Sequence, residues 1–235
     1  MKKSVILSVI FLLAANLLSG AESIKAVLFP FREAQLSSRV DSTLLSCKYR
    51  IGESFKKDSV LMELDEASLS LQAKRMKDQA NFARKVYLDK KELRAGNFTS
   101  DFELHKAEFE LETAKTALAE AELKLAFCKI KAPFDGKIVE IQTKEYETVR
   151  AGDRLLKIID DTRLLAVMNL PLKLLKQPGG EMTLSLENGM IVKGRVFDIS
   201  PQADHRTGTL RIRVLVENGK GLLRAGMTGD LVYGK

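Results

Sequence analysis

A chain of 235 residues is long enough for two or three small domains, and this one carries 38 Lys and Arg against 31 Asp and Glu, a formal charge of +7. The excess is spread along the sequence, with no dense basic tract and no interleaved aromatics (four Tyr, no Trp), which excludes a surface built for nucleic acid. Two cysteines, Cys47 and Cys128, and two distant histidines, His105 and His205, make no CxxC or Cys/His cluster, which excludes a zinc site.

Residues 1–21 read as an export signal. Lys2 and Lys3 form a basic start, Val5–Leu18 is an apolar run, and Ser19-Gly20-Ala21 supplies small residues for a peptidase, so cleavage is expected before Glu22. The run is shorter than the roughly 20 residues of a spanning helix; the alternative is a signal kept as an anchor. Cleavage removes two lysines and no acid, taking the net charge from +7 to +5. Nothing after Ala21 is long and apolar enough to cross a bilayer. Export leads to a compartment where disulfides persist. Cys47 and Cys128 fall on expected core strands of one β domain, so they are either two buried free thiols or one disulfide.

Residues 22–41 read as an extended segment in which Ile24, Val27, Phe29 and Phe31 alternate loosely and Pro30 breaks the pattern, as on an edge strand. Strand pattern resumes at Leu44–Ile51, turns at Gly52-Glu53 and ends in Val60–Asp65. From Glu66 the period changes from two to three and a half. Leu69, Ala73, Met76, Ala80, Ala83 and Tyr87 form one stripe, and Leu104, Ala107, Leu111, Ala114, Leu118, Ala121 and Leu125 form a second, cleaner one. Between them Arg94–Asp101 contains a turn: Gly96 can end the first helix, and Thr99 or Ser100 can cap the second. Each helix has about 28 residues, a rod on the order of 40 Å. Residues 66–95 hold eight Lys/Arg against four Asp/Glu, and residues 100–127 three against seven. Exposed pairs contribute only a few tenths of a kcal/mol each, so this charge contrast mainly selects the antiparallel pairing.

The β pattern returns at Cys128–Ala132, turns through Pro133-Phe134-Asp135-Gly136 and continues in Lys137–Ile141. Gly52–Asp65 (GESFKKDSVLMELD) aligns without gaps to Tyr146–Ile159 (YETVRAGDRLLKII), with Glu53 on Glu147 and Leu61 on Leu155. Two similar halves imply a pseudo-twofold sandwich, residues 42–65 and 128–161, whose insert 66–127 must leave and return as a hairpin. Such an insert reaches a partner; it does not surround a substrate. No nucleophile–base pair, HExxH or phosphate-cradling glycine loop occurs, so no enzyme and no cofactor is expected. The acid pair Asp160-Asp161 reads as a solvated turn between domains. In residues 162–235 no strong helical period appears beyond a short Leu170–Lys176, and strands at Leu164–Leu170, Thr183–Leu186, Ile191–Ile199, Leu210–Val216 and Gly229–Val232 suggest a small closed barrel. The expected fold is mainly β: a sandwich split by a long antiparallel coiled-coil hairpin, followed by a β barrel.

These residues resemble the periplasmic adaptor (membrane fusion protein) family of tripartite efflux and secretion systems, from about Val27 to the C-terminus. The most specific stretch is Ile130-Lys131-Ala132-Pro133-Phe134-Asp135-Gly136-Lys137-Ile138, followed by Val149 and Gly152. Gly52, Phe55-Lys56-Lys57-Asp58, Leu61 and Leu64-Asp65 resemble the opening half of the family's lipoyl motif, with Asp58 and Asp41 where glycines are usual. Gly194-Arg195-Val196, Pro201, Arg206-Thr207-Gly208-Thr209 and Leu223-Arg224-Ala225-Gly226-Met227 resemble its barrel domain. A lipoyl carrier would present a modifiable lysine in the turn that the hairpin here replaces, so no swinging arm is expected.

The resemblance implies a non-enzymatic scaffold in the periplasm, associated with the inner membrane through its partners. Those partners would be an inner-membrane RND transporter, an outer-membrane channel and copies of the chain itself in a homo-oligomeric ring. It implies channel docking at the hairpin tip, through Leu93, Gly96, Asn97 and Ser100; the family's tip arginine is replaced by Asp89, beside Lys90. Leu93 also reads as a seam leucine and Ser100 as a plain helix cap. The membrane-proximal domain of many pump adaptors has no expected counterpart in residues 162–235, so transporter contact is expected from the barrel and N-terminal segment, or from another subunit. An adaptor of an ATP-driven (ABC-type) exporter or type I secretion system shares every motif. A cleaved signal and helices of this length favour the pump class.

Overall fold

The computed structural model describes residues 24–175 and 179–232, so the export signal expected at residues 1–21 lies outside the described residues. The chain divides into a sandwich unit, Arg32–Asp160, and a barrel unit, Met1–Phe31 with Asp161–Lys235. Two long strands, β1 (Lys25–Ser37) and β8 (Arg154–Pro171), contribute to both.

In the sandwich unit, β5 (Lys129–Lys131), β4 (Val60–Leu64), β2 (Ser42–Cys47) and β7 (Thr148–Val149) form one sheet in that order. Opposite it, β6 (Gly136–Ile141) pairs antiparallel with β3 (Ser54–Phe55) and with the first half of β8. Alternation drives the assembly: Leu44, Leu61, Leu64, Ile130, Ile138, Leu155 and Ile158 turn inward with Phe55, Met62 and Val149 and are buried. Fully burying each aliphatic side chain contributes about 1.5–3 kcal/mol against leaving it in water.

The pseudo-twofold is written in the hydrogen bonds, each partner displaced by the same interval along the chain. Gly52 and Tyr146 both take left-handed backbone, at φ 87° and 67°, as do Asp58 and Gly152, at 63° and 98°. Gly52 N–H donates to Ile138 O at 2.8 Å, and Tyr146 N–H to Leu44 O at 2.7 Å. Asp58 N–H donates to Ala132 O and Gly152 N–H to Ser38 O, both at 2.8 Å. Asp135 accepts from Lys57 N–H, and Asp41 from Ala151 N–H, both at 2.7 Å. The two acids that stand apart from any alternation are therefore matched turn caps.

The Lys57 backbone N–H, with the Lys56 ammonium beyond it, holds the Asp135 carboxyl below its ordinary range. A carboxylate whose pKa is depressed on folding stabilises above the unfolded value and loses that contribution as the pH falls through the folded one. Asp135→Asn is thus expected to lower the urea midpoint of unfolding at neutral pH, with the difference from the parent chain shrinking on acidification. Circular dichroism across a pH series checks this.

In the barrel unit the order is β1, β12 (Thr228–Val232), β9 (Glu181–Leu186), β10 (Ile191–Asp204), β11 (Thr209–Glu217), β8, and β1 also pairs with β8, so the order returns to its start. Leu164, Ala166, Met168 and Leu170 of β8 alternate into a core shared with Leu184, Val196, Ile212, Val214 and Val216. Three local expectations are corrected. Asp160-Asp161 is not a turn: β8 runs through it because β6 claims its first half and β11 its second, and Asp160 is only 8% exposed. Pro30 does not break β1, since pairing to β12 ends at Val27 and no ladder bond to that strand is lost. Leu170 and Pro171 belong to β8, which a 3-10 turn at Leu172–Leu174 follows, and Lys176 lies outside the described residues.

Candidate functional site

The site most expected from sequence is the end of the hairpin formed by α1 (Ala67–Ala95) and α2 (Asp101–Ala126). Every residue of the two stripes is shielded: Ala73, Ala80, Ala107, Leu111 and Ala121 are buried and the remainder half-buried. Continuing the α1 stripe past Tyr87 by three and four residues reaches Lys90 and Arg94. There the seam changes from apolar contact to ion pairs, Lys90 to Glu103 at 3.3 Å and Arg94 to Asp101. The Arg94 pair is a fork, Nε donating to Oδ1 at 2.5 Å and Nη2 to Oδ2 at 3.2 Å, with Nη1 donating to Asn97 Oδ1 at 2.9 Å.

Leu93 therefore lies off the seam, 44% exposed, because Arg94 holds the seam position. The helix end is a Schellman motif: Phe98 N–H donates to Leu93 O at 2.8 Å and Asn97 N–H to Arg94 O at 3.0 Å. Gly96 precedes the left-handed position, which Asn97 occupies at φ 61°. Gly96 serves a different need, since a Cβ there would come within 2.6 Å and 2.7 Å of two Phe98 ring carbons. Ser100 is the N-cap of α2, its Oγ accepting from Glu103 N–H at 3.3 Å.

Leu93, Gly96 and Asn97 thus meet in one motif with Phe98, and Ser100 opens the next helix. Sequence reasoning missed Phe98 and Phe102, which are 82% and 74% exposed. The signal was there: Phe102 sits two residues before Leu104, outside the three–four rhythm, on a helix whose other off-seam positions are mostly polar. The tip presents three large apolar side chains on a polar clamp.

The clamp is acid-sensitive. Arg94, through its hydrogen bonds and its charge, lowers the Asp101 pKa, and Asp101 raises that of Arg94. With the acid's folded value below its unfolded one, the clamp is complete at neutral pH and loosens as the pH falls through the folded value. Asp101→Asn is expected to speed amide exchange at Asn97, Phe98 and Glu103 at neutral pH, with little change in overall melting.

Cys47 and Cys128 are free thiols. β4 lies between them, with Cys47 opposite Met62 on one side and Cys128 O accepting from Leu64 N–H on the other. Two strand spacings are about 10 Å, beyond the roughly 7 Å Cα separation that a disulfide tolerates. The disulfide alternative is corrected accordingly. Cys47 Sγ donates to Tyr49 O at 3.2 Å, and burial pushes both thiols above their ordinary pKa. Intact mass after alkylation under denaturing, non-reducing conditions is expected to show both cysteines labelled. Labelling of the folded protein should be slow at Cys47 and slower at buried Cys128.

Among the described residues no group of three or more His, Cys, Asp or Glu side chains is placed to hold a metal ion, and no helix is long and apolar enough to cross a membrane.

Residues 32–161 match the family model described as the RND MFP barrel-sandwich hybrid domain, and residues 174–234 that of the CusB-like beta-barrel domain. The nodulation protein NolF of Rhizobium meliloti (strain 1021) is 27% identical over 87% of this chain, which spans 61% of NolF's length. Two solved structures share the fold. A MacA-MexA chimera containing the Pseudomonas aeruginosa MexA alpha-hairpin domain superposes with a TM-score of 0.78 at 18% identity, over 88% of this chain and 78% of that one. The membrane fusion protein Spr0693 from Streptococcus pneumoniae R6 superposes with 0.68 at 14% identity, over 90% and 98%. The divided sandwich and its hairpin, matched over more than half of the sequence by one family model, and a following barrel matched by a second, place this chain in the membrane fusion protein (MFP) family.

Proposed function

We propose that this protein is an adaptor that joins an inner-membrane RND transporter to an outer-membrane channel, acting by scaffolding rather than by chemistry. The observation that carries the reading is the exposure of Leu93, Phe98 and Phe102 at the end of the hairpin. Isolated exposed apolar residues need no explanation, but three on one rigid tip fit helix-in-groove docking. The match of residues 32–161 to the RND MFP family model supports a proton-driven transporter over an ATP-driven one. Copies of the chain form a ring around the conduit, and many weak tip contacts then act together, which raises avidity without any single tight contact. The barrel and the N-terminal strand face the transporter. Delivery to the periplasm is by a cleaved signal.

A photo-cross-linking amino acid in place of Phe98, in intact cells, tests the docking. Capture of an outer-membrane channel supports the reading, and capture of nothing from that membrane by an abundant, correctly located protein overturns it. A second photo-cross-linker on the barrel decides the transporter class: an RND protein supports the proposal, and an ATP-binding exporter replaces it.

A further inference from the structure

A groove of ≈ 410 Å³ opens in the sandwich unit between β1 and β5, lined among others by Gln35, Ser37, Arg39, Phe127, Lys129 and Lys131. Its two walls are twofold mates: Gln35–Ser37 and Lys129–Lys131 stand at the interval that relates Gly52 to Tyr146 and Asp41 to Asp135. β5 has one strand neighbour, β4, so its other edge is free.

The alternation of an antiparallel ladder fixes which groups that free edge presents. Cys128 O accepts from Leu64 N–H and Ala132 N–H donates to Ser59 O, both toward β4. The intervening Lys129 and Lys131 therefore direct their N–H and C=O into the groove. On the opposite wall Ser38 bonds to Asp153 and Gly152 in the way Ala132 bonds to Ser59 and Asp58, which turns Gln35 and Ser37 to the groove likewise. Free edges are normally blunted or covered, because they template another strand.

The charge of the groove selects its occupant. Its lining holds three cations and no carboxylate. Lys129 is engaged by Glu66 at 3.3 Å, whereas Arg39 lies over the Phe127 ring at 4.8 Å with its donors unused among the described residues, and Lys131 is exposed. A stacked guanidinium keeps its fork available for a carboxylate.

We propose that this groove binds an extended, acidic polypeptide segment of a partner protein. The segment adds as a strand to the β5 edge, with alternate carboxylates on Arg39 and Lys131. Backbone bonds to the edges give affinity and the cations give selectivity.

The experiment uses the full chain and a fluorescein-labelled eight-residue peptide of alternating Thr and Glu. Alternating Thr and Lys, inorganic phosphate and phosphatidylglycerol vesicles serve as comparisons. Saturable binding of the Thr-Glu peptide is expected, weakened tenfold or more by Arg39→Glu with Lys131→Glu, and by a smaller factor with the milder Arg39→Gln and Lys131→Gln. Amide exchange at Lys129 and Lys131 should slow on binding, a sign of strand addition that plain charge attraction does not produce. Equal affinity for the Thr-Lys peptide, unchanged exchange at the β5 edge, indifference to both pairs of substitutions, or binding of phosphate or vesicles in place of the peptide would each overturn the proposal.

Discussion

Gly136→Ala is expected to lower the melting temperature of the sandwich unit by roughly 5–10 °C, following an overpacking cost of about 1–3 kcal/mol. Gly136 is buried at the start of β6, opposite Phe55 of β3. A Cβ there would lie inside the contact radius of the Ile159 carbonyl oxygen and 3.3 Å from the Phe55 ring. The obstacle is backbone, and it cannot rotate away as a side chain would. Relief requires β6 to move from β8, whose pairing begins one residue later at Lys137 and Ile159. Gly219→Ala is the control, since a Cβ there meets nothing within 4 Å. A melting curve unchanged by Gly136→Ala would mean that β6 is not held against β8.

Leu93→Asp is expected to cut export at least tenfold while leaving the far-ultraviolet spectrum and the melting temperature nearly unchanged. Its exposed side chain takes no part in the seam, and surface substitutions of this kind usually cost less than about 0.5 kcal/mol. The charge falls on the last turn of α1, where a carboxylate meets the negative end of the helix dipole at a cost of a few tenths of a kcal/mol. Docking is more sensitive, because an apolar contact in a desolvated groove becomes a buried, unpaired charge. Full export by a stably expressed Leu93→Asp protein would remove the leucine from the docking surface; a fall in melting temperature would show that the effect is structural.

Much of the fold was legible because two periodicities are plain in the residues. The three–four spacing runs from Leu104 to Leu125 and its partner stripe from Leu69 to Tyr87, and every residue of the two stripes is shielded in the hairpin. The repeat of Gly52–Asp65 in Tyr146–Ile159 announced the twofold, and its matched left-handed positions and turn bonds follow the alignment residue for residue. What escaped was set by neighbours distant in sequence. Asp41 and Asp135 cap turns across the sandwich, and neither hydrophobic period contains them. Asp160-Asp161 looked like a solvated turn because two acids rarely lie within a strand, yet β8 continues through them, its first half paired to β6 and its second to β11. At the tip, Leu93 could be placed on the seam or off it until Arg94 was found in the seam position. Phe98 and Phe102 stand outside both three–four rhythms, so neither hydrophobic period points to them.

Duplication gives the sandwich two equivalent exits. The first half releases the chain at Asp65 toward the hairpin, and the second releases it at the matching residue, Ile159, toward the barrel. Since the sandwich closes through its own strands, the excursion begun at Asp65 needs only to return at Cys128. Its length is a free variable: each heptad added to both helices would extend the rod by about 10 Å without altering one contact in the sandwich core. Reach can therefore be retuned separately from stability, as the span of a bridge can be changed between fixed abutments.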